Sequence, residues 1–369
     1  MKITIERKPI LAKITMAKSA IANKITELYY CLLFKISQQG LSIIGGDGNN
    51  CIVIDANYKM VEGELKNFLI SATQIENALS SIKDDEILLD VKETEMTIYH
   101  AHGKLIFPIL NETGYSYLPP IAATEEIMLK KEDFIQGLNY AMPFAEKKEE
   151  FRPIISSVLM EIDNSKMKFI GTDAHRLMVV TYDYGDAQIN NSIMIPQGAI
   201  KIINKVFAEQ KEIALSMQNN KIQLRAEGIN YSFIRIEGKF PNWRSIMPKD
   251  QPIAIDICRQ LVIEAIERIQ LLNANIIQFF SCEEDKTLKM TAVNIDLMTS
   301  GEEVIDDKYE GDKIDISFKT SNVLLALKAM NGEIVRFNMT DSAHSCLVNK
   351  GSEKDNIEIL LMPCKVTKN

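Results

Sequence analysis

"SVLMEIDNSKMKFIGTDA", residues 157–174, decides how the rest of the chain reads. Val158, Met160 and Ile162 alternate against Glu161 and Asp163, the period-2 pattern of a half-buried strand. A polar turn follows, then a second apolar run that closes on Asp173. Two other stretches share this plan. "CLLFKISQQGLSIIGGDG" (31–48) sets Leu32, Phe34 and Ile36 against Lys35 and Ser37 and closes on Asp47. "IIQFFSCEEDKTLKMTAVNI" (276–295) closes on Asn294. The three closing residues lie 126 and 121 positions apart.

A second landmark recurs at the same interval. "FLISATQIENALSSI" (68–82), "IMIPQGAIKIINKVF" (193–207) and "ISFKTSNVLLALKAM" (316–330) each read as a short apolar strand, a break and a helix. The breaks begin at Ser71, Pro196 and Lys319, separated by 125 and 123 positions. Each unit also opens alike, in "ITIERKPILAKI", "IMLKKEDFIQGL" and "IAIDICRQLVIEAI". Helical spacing there puts Phe134, Ile135 and Leu138 on one face, and Leu261, Ala265 and Ile269 on another. The expectation is an α+β chain of three repeated domains, each with two helices packed on antiparallel sheet. The proline-marked segments "YLPPIAATEE" and "IMPKDQPI" set the boundaries at 1–122, 123–249 and 250–369. Like domains joined head to tail close into rings when the rotation permits.

Bulk composition narrows the function. Of 369 residues, 46% are hydrophobic and 25% charged, which supports packed cores. The net charge of −8 argues against a surface that coats nucleic acid everywhere, yet allows one basic face. The N-terminus reads as a strand start without a signal-length apolar run, and no stretch has the apolar length of a membrane span. Six scattered cysteines without a C-x-x-C pair read as buried free thiols of a reducing cytoplasm.

Catalytic motifs are missing. In "GTDAHRLMVV" (171–180), Asp173 and His175 would sit on one strand face roughly 6–7 Å apart, too far for a tight dyad. His100 and His102 are spaced as two metal ligands or as surface-strand histidines, and no third ligand completes a set. "IIGGDGNN" reads as a turn between strands, since it lacks the Lys-Ser/Thr of a phosphate loop. The reading is no catalytic residue, no metal and no cofactor. Leu177, Pro241, Ile246, Leu360, Met362 and Pro363 could instead form an apolar groove at an interdomain joint, or they could be core.

The three repeats, "TDAHRL", "GKFPNWRSIMP" (238–248) and the terminal "MPCKV" together resemble the bacterial DNA sliding clamp family, the β subunit of DNA polymerase III. That resemblance covers the whole chain. It implies a cytoplasmic, non-enzymatic processivity factor: a head-to-tail homodimeric ring around duplex DNA. Polymerase and clamp-loader peptides would dock between the second and third domains. The family's pocket carries over onto Ile155, Thr172, His175, Arg176, Leu177, Pro241, Ile246, Leu360, Met362 and Pro363. Ala174, Ser245 and Cys364 depart from the family pattern at the pocket rim.

The same resemblance implies DNA contacts at Lys24 and Arg152. Lys201 and Lys205, one helical turn apart, can share a polar helix face toward phosphates. Lys147, Lys148, Arg259 and Lys328 are weaker candidates. Thr73, Gln197 and Gly198 replace basic residues of the family, and Glu149 and Glu150 add negative charge. Two rivals stay open: a non-ring peptide-binding scaffold of the same fold, and a hydrolase using Asp173 and His175.

Overall fold

The structure is a computed structural model that describes residues 1–21, 30–121, 125–148, 150–163, 165–185, 191–284, 286–350 and 356–364. Repeat one runs β1 (Lys2–Glu6), α1 (Arg7–Lys18), β2 (Cys31–Ser37), β3 (Gly40–Gly46) and β4 (Asn50–Ala56). A short β5 (Met60–Glu62) precedes β6 (Phe68–Ser71), α2 (Ala72–Ser81), β7 (Glu86–Val91), β8 (Glu95–His100) and β9 (Gly103–Pro108). Repeat two runs β10 (Ile127–Lys130), α3 (Lys131–Ala141), β11 (Val158–Asp163), β12 (Lys166–Thr172) and β13 (Arg176–Asp183). It continues with β14 (Asn191–Ile195), α4 (Gln197–Val206), β15 (Glu212–Gln218), β16 (Lys221–Ala226) and β17 (Ile229–Ile234). Repeat three runs β18 (Ile253–Cys258), α5 (Arg259–Gln270), β19 (Ile276–Cys282), β20 (Thr287–Asn294) and β21 (Thr299–Asp306). Its second half is β22 (Asp315–Lys319), α6 (Thr320–Ala329), β23 (Ile334–Met339), β24 (Cys346–Asn349) and β25 (Ile357–Leu361). Each repeat is thus a strand, a helix and three strands, said twice.

The breaks in the sequence are helix starts. Ser71 accepts the Gln74 N–H and caps α2, while Pro196 and Lys319 stand immediately before α4 and α6. In α5 the buried residues are Val262, Ile263, Ala265, Ile266 and Ile269, and Leu261 faces solvent. The expected face therefore holds at Ala265 and Ile269 and fails at Leu261.

The three closing polar residues do one job. Asp47 Oδ1 accepts the N–H groups of Asn49 and Asn50, and Asp173 Oδ1 accepts those of His175 and Arg176. Asn294 Oδ1 accepts the N–H of Leu297. Each folds the chain back after the second strand of its meander by satisfying backbone donors within three residues.

The chain packs as two compact units, Met1–Ile135 with Gly198–Arg235, and Gln136–Gln197 with Ile236–Asn369. The first holds a five-stranded sheet, β5-β1-β7-β8-β9, and an eight-stranded sheet, β10-β15-β16-β17-β4-β3-β2-β6. The second holds an eight-stranded sheet, β14-β11-β12-β13-β25-β24-β23-β18, and a four-stranded sheet, β21-β20-β19-β22. Neighbouring strands among the described residues run antiparallel, and each eight-stranded sheet takes half its strands from one repeat and half from the next.

Simple alternation underestimates burial in these sheets. In β2, Leu32 and Phe34 are buried as expected, but so are Cys31 and Leu33. Helix α1 packs on β3 and β4, while Tyr115, Tyr117 and Leu118 cover the cluster of Cys31, Leu33, Ile44, Cys51 and Leu69. A sheet clothed on both sides has no polar face to write into its sequence.

All six cysteines are free. Cys31, Cys51 and Cys346 are buried, whereas Cys258, Cys282 and Cys364 are only half-buried, so the expectation of burial holds for three. Burial pushes the Cys51 thiol up to about 12 and raises that of Cys346 further, which keeps both as neutral thiols. Among the described residues, no helix is long and apolar enough to cross a membrane.

Candidate partner-binding site

The hairpin joining β12 to β13 is the centre of the site. Residues 173–175 form its turn and do not lie on a strand, so Asp173 and His175 do not share a strand face. Asp173 spends its carboxylate locally: the two backbone N–H groups at 2.9 and 3.0 Å, and the Arg176 guanidinium with Nε at 3.1 Å from Oδ2. Ala174 takes a φ of 72° to complete the turn. That conformation costs an L-residue about 1 kcal/mol, a cost that a glycine, lacking Cβ, would not carry. His175 is left exposed on the turn.

Thr172 and Arg176 lock the turn from beneath. The buried Thr172 hydroxyl donates to the Arg176 carbonyl (2.7 Å) and accepts the Ala174 N–H (3.1 Å). Arg176 donates to Asn322 Oδ1 on α6 (3.2 Å) and to the Pro143 carbonyl (3.1 Å), and its guanidinium lies 5.7 Å from the Phe144 ring centre. One side chain therefore ties the hairpin to two other segments.

The third repeat supplies the other wall. Leu177 of β13 stands opposite Leu360 of β25, and the Met362 N–H donates to the His175 carbonyl at 3.0 Å. The Cys364 N–H donates to the Ser317 carbonyl at 2.7 Å, so residues 362–364 follow a defined path beside the hairpin. Leu177 and Leu360 are 1% and 2% exposed and join Leu159, Ile170, Val179, Met194, Phe240 and Trp243 in one cluster. Ile154, Ile236 and Met247 pack against it.

The groove and core readings therefore divide the predicted residues between them. Leu177 and Leu360 are core, forming a floor. Ile246 and Met362 are 47% and 42% exposed, and Pro241 is also exposed, forming a rim. Ile155 and Pro363 are half-buried between the two. Apolar side chains exposed over an apolar floor favour another apolar chain as occupant.

Comparison with known proteins agrees along the whole length. Family profiles match in chain order: the N-terminal domain of the DNA polymerase III beta subunit over residues 1–119, the central domain over 129–242, and the C-terminal domain over 244–365. This chain belongs to the bacterial DNA sliding clamp family. A beta sliding clamp of Bacillus subtilis is 21% identical, covering 98% of this chain and 99% of its own. The DNA polymerase III beta subunit of Pseudomonas aeruginosa superposes with a TM-score of 0.91 at 19% identity, covering 99% of this chain and all of the other. A clamp from the same organism bound to griselimycin superposes at 0.90 and 20% identity over the same shares. The chain thus has the three-domain clamp fold, and its family is a non-catalytic processivity factor of DNA polymerase III.

For a clamp, the basic residues matter next. Lys24 lies outside the described residues, as does Glu149. Lys201 and Lys205 are both exposed on α4, and Lys205 donates to the Thr15 carbonyl of α1 at 3.0 Å. Arg152 is exposed and lines a cavity that also includes His175. Arg259 has a structural job, donating to the Gly332 and Leu327 carbonyls at 2.9 and 3.3 Å. Lys328 faces Glu267 at 3.7 Å. His100 ends β8, and His102 lies in the turn that leads to β9.

Sequence reading misses several members of the site. Phe240 and Trp243, both within "GKFPNWRSIMP", and Met194 of β14 join the buried cluster, and none is singled out. Trp243 is the chain's only tryptophan and is flanked by Arg244 and Lys168, at 4.3 and 5.6 Å from its ring. Its position within the motif "GKFPNWRSIMP" is the one signal that could have found it.

Proposed function

We propose that two copies of this chain close head to tail into a ring around duplex DNA. The ring tethers the replicative polymerase and is opened by a clamp loader, both held through short peptides in the groove of Ile155, Thr172, His175, Arg176, Leu177, Pro241, Ile246, Leu360, Met362 and Pro363. The domains of each copy are 1–122, 123–249 and 250–369, the ring works in the cytoplasm, and Lys24, Arg152, Lys201 and Lys205 face DNA.

One observation carries the ring. The last strand of repeat two, β17, pairs with β4 of repeat one, and the last strand of repeat three, β25, pairs with β13 of repeat two. By the same rule, β9 of repeat one calls for β21 of a repeat three. Both are edge strands in their sheets, and both carry exposed apolar side chains, Ile106 at 52% and Val304 at 46%. An unpaired edge of this kind is a template for another chain, and a second copy supplies the missing partner at two seams related by a twofold axis.

The wild-type protein is expected to sediment at twice the 41.7 kDa chain mass. Ile106→Asp is expected to raise the dimer dissociation constant by about thirtyfold, the scale of a central interface residue. A wild-type monomer, or an unaffected variant dimer, would overturn the ring.

The groove has its own test. Met362→Asp is expected to weaken a fluorescent polymerase-derived peptide by at least about tenfold, with melting within about 2 °C of wild type, because the side chain is exposed. Unchanged peptide affinity would move the site elsewhere.

A further inference from the structure

Within the first unit, helices α1, α2 and α4 meet around one carboxylate. Glu76 of α2 accepts the Thr15 hydroxyl at 2.7 Å on one oxygen and the Lys18 ammonium at 2.6 Å on the other. Thr15 and Lys18 stand three residues apart on α1 and so share a face of it. Lys205 of α4 donates to the Thr15 carbonyl at 3.0 Å, and its charge also acts on Glu76. We infer that Glu76 restrains the cations of the DNA-facing helices, withholding Lys18 from phosphate and offsetting the charge of Lys205. The inference rests on the reading that Lys201 and Lys205 face DNA.

The pair is sheltered, which separates it from the other ion pairs of this unit. Lys8–Asp85 and Lys59–Glu86 are exposed at both ends, where solvent and salt screen them. The side chains of Glu76 and Lys18 are only 20% and 33% exposed. The Lys18 hydrogen bond, then that of Thr15 and the charges of Lys18 and Lys205, hold the Glu76 carboxyl below the usual carboxylate range. Glu76 therefore stays ionised at neutral pH.

A tie between helices needs only an acceptor, which an amide supplies equally well. The ionised group does something further. A phosphate that recruits Lys18 must first break a short charged hydrogen bond and then lie near a carboxylate of its own sign. Lys205, already engaged by the Thr15 carbonyl, meets the same negative neighbour. Each phosphate contact that forms must break again as a ring moves along the duplex, so a carboxylate that suppresses such contacts favours sliding over holding.

The full-length protein would be titrated into a fluorescein-labelled 30-base-pair duplex at 50, 100 and 200 mM salt. Glu76→Gln keeps an acceptor for Thr15. It is expected to bind about tenfold tighter than wild type at 50 mM and about threefold tighter at 200 mM, a salt slope steeper by about 0.9 for one added phosphate contact. Glu76→Met, equally uncharged, is expected to share that slope. Adding Lys18→Gln to Glu76→Gln is expected to return the slope to the wild-type value. Thr15→Val loosens the helices but keeps the charge, and is expected to match wild type. An unchanged slope in both uncharged variants would overturn the inference. So would an equal rise in Thr15→Val, which would assign the effect to helix packing. Lys205→Gln tests the underlying reading: it is expected to weaken duplex binding about threefold at 50 mM. Unchanged binding there would remove Lys205 from the DNA face and overturn that reading together with the inference. A weakened Lys205→Gln beside an unchanged Glu76→Gln would overturn the inference alone.

Discussion

A single cut in a nicked DNA circle is expected to release the loaded protein at a rate about a hundredfold above its escape from the intact circle. Loading by a clamp loader with ATP, followed by gel filtration before and after linearisation, measures this directly. The physical reason is that a ring holds DNA by topology, and an end removes the constraint. The chain is suited to such a link because its net charge of −8 opposes tight electrostatic capture. Salt separates the mechanisms further. Binding through four phosphate contacts would lose about a hundredfold in affinity between 50 and 200 mM salt. Retention on the intact circle is expected to change by less than about threefold over that range. Equal release from circle and linear DNA would mean that the ring is not the working form, and would revive the open scaffold of the same fold.

Gly171→Ala is expected to cost about 3 kcal/mol, at the upper end for forcing one carbon into a packed site. An added Cβ at Gly171 would lie 2.0 Å from the carbonyl oxygen of Ala141 and 2.8 Å from its carbonyl carbon. These are backbone atoms at the end of α3, so no rotamer relieves the clash. The helix would have to lift from β12, one residue before Thr172 and the site hairpin. A fall of about 10 °C in melting temperature follows for a domain of this size.

Repeat one shows the same device. Gly45, 126 positions earlier, sits in β3 with an added Cβ at 2.3 Å from the Ala17 carbonyl oxygen of α1. The corresponding variant is expected to lose a similar amount. Gly198 provides the control. It lies in the first turn of α4 with nothing near an added Cβ, so Gly198→Ala is expected to be neutral or to raise stability by up to about 1 kcal/mol. Melting curves of the three variants decide it. Equal loss in all three would mean that glycine flexibility, not close packing, is at issue.

Sequence by itself determined the threefold repeat, the order of strands and helices, and the turns that punctuate them. Those features are local. Asp47, Asp173 and Asn294 align by their letters and spacing alone because each satisfies backbone donors no more than three residues away. The helix starts at Ser71, Pro196 and Lys319 are legible for the same reason. The family likeness added the candidate pocket residues, because its motifs fall at fixed places in that repeat.

Only the tertiary structure decided where each of those residues lies. Leu177 and Leu360 look no different in sequence from Ile246 and Met362, yet the first pair is buried and the second exposed. The distinction rests on β13 meeting β25 in one register, with Leu177 opposite Leu360, 183 positions away. The exposure of Leu261, the two-sided burial of β2 and the service of Arg259 to distant carbonyls were hidden likewise. Hydrogen bonding within a few residues is written into neighbouring letters; exposure is set by whatever the fold lays alongside, and that partner lies elsewhere in the chain.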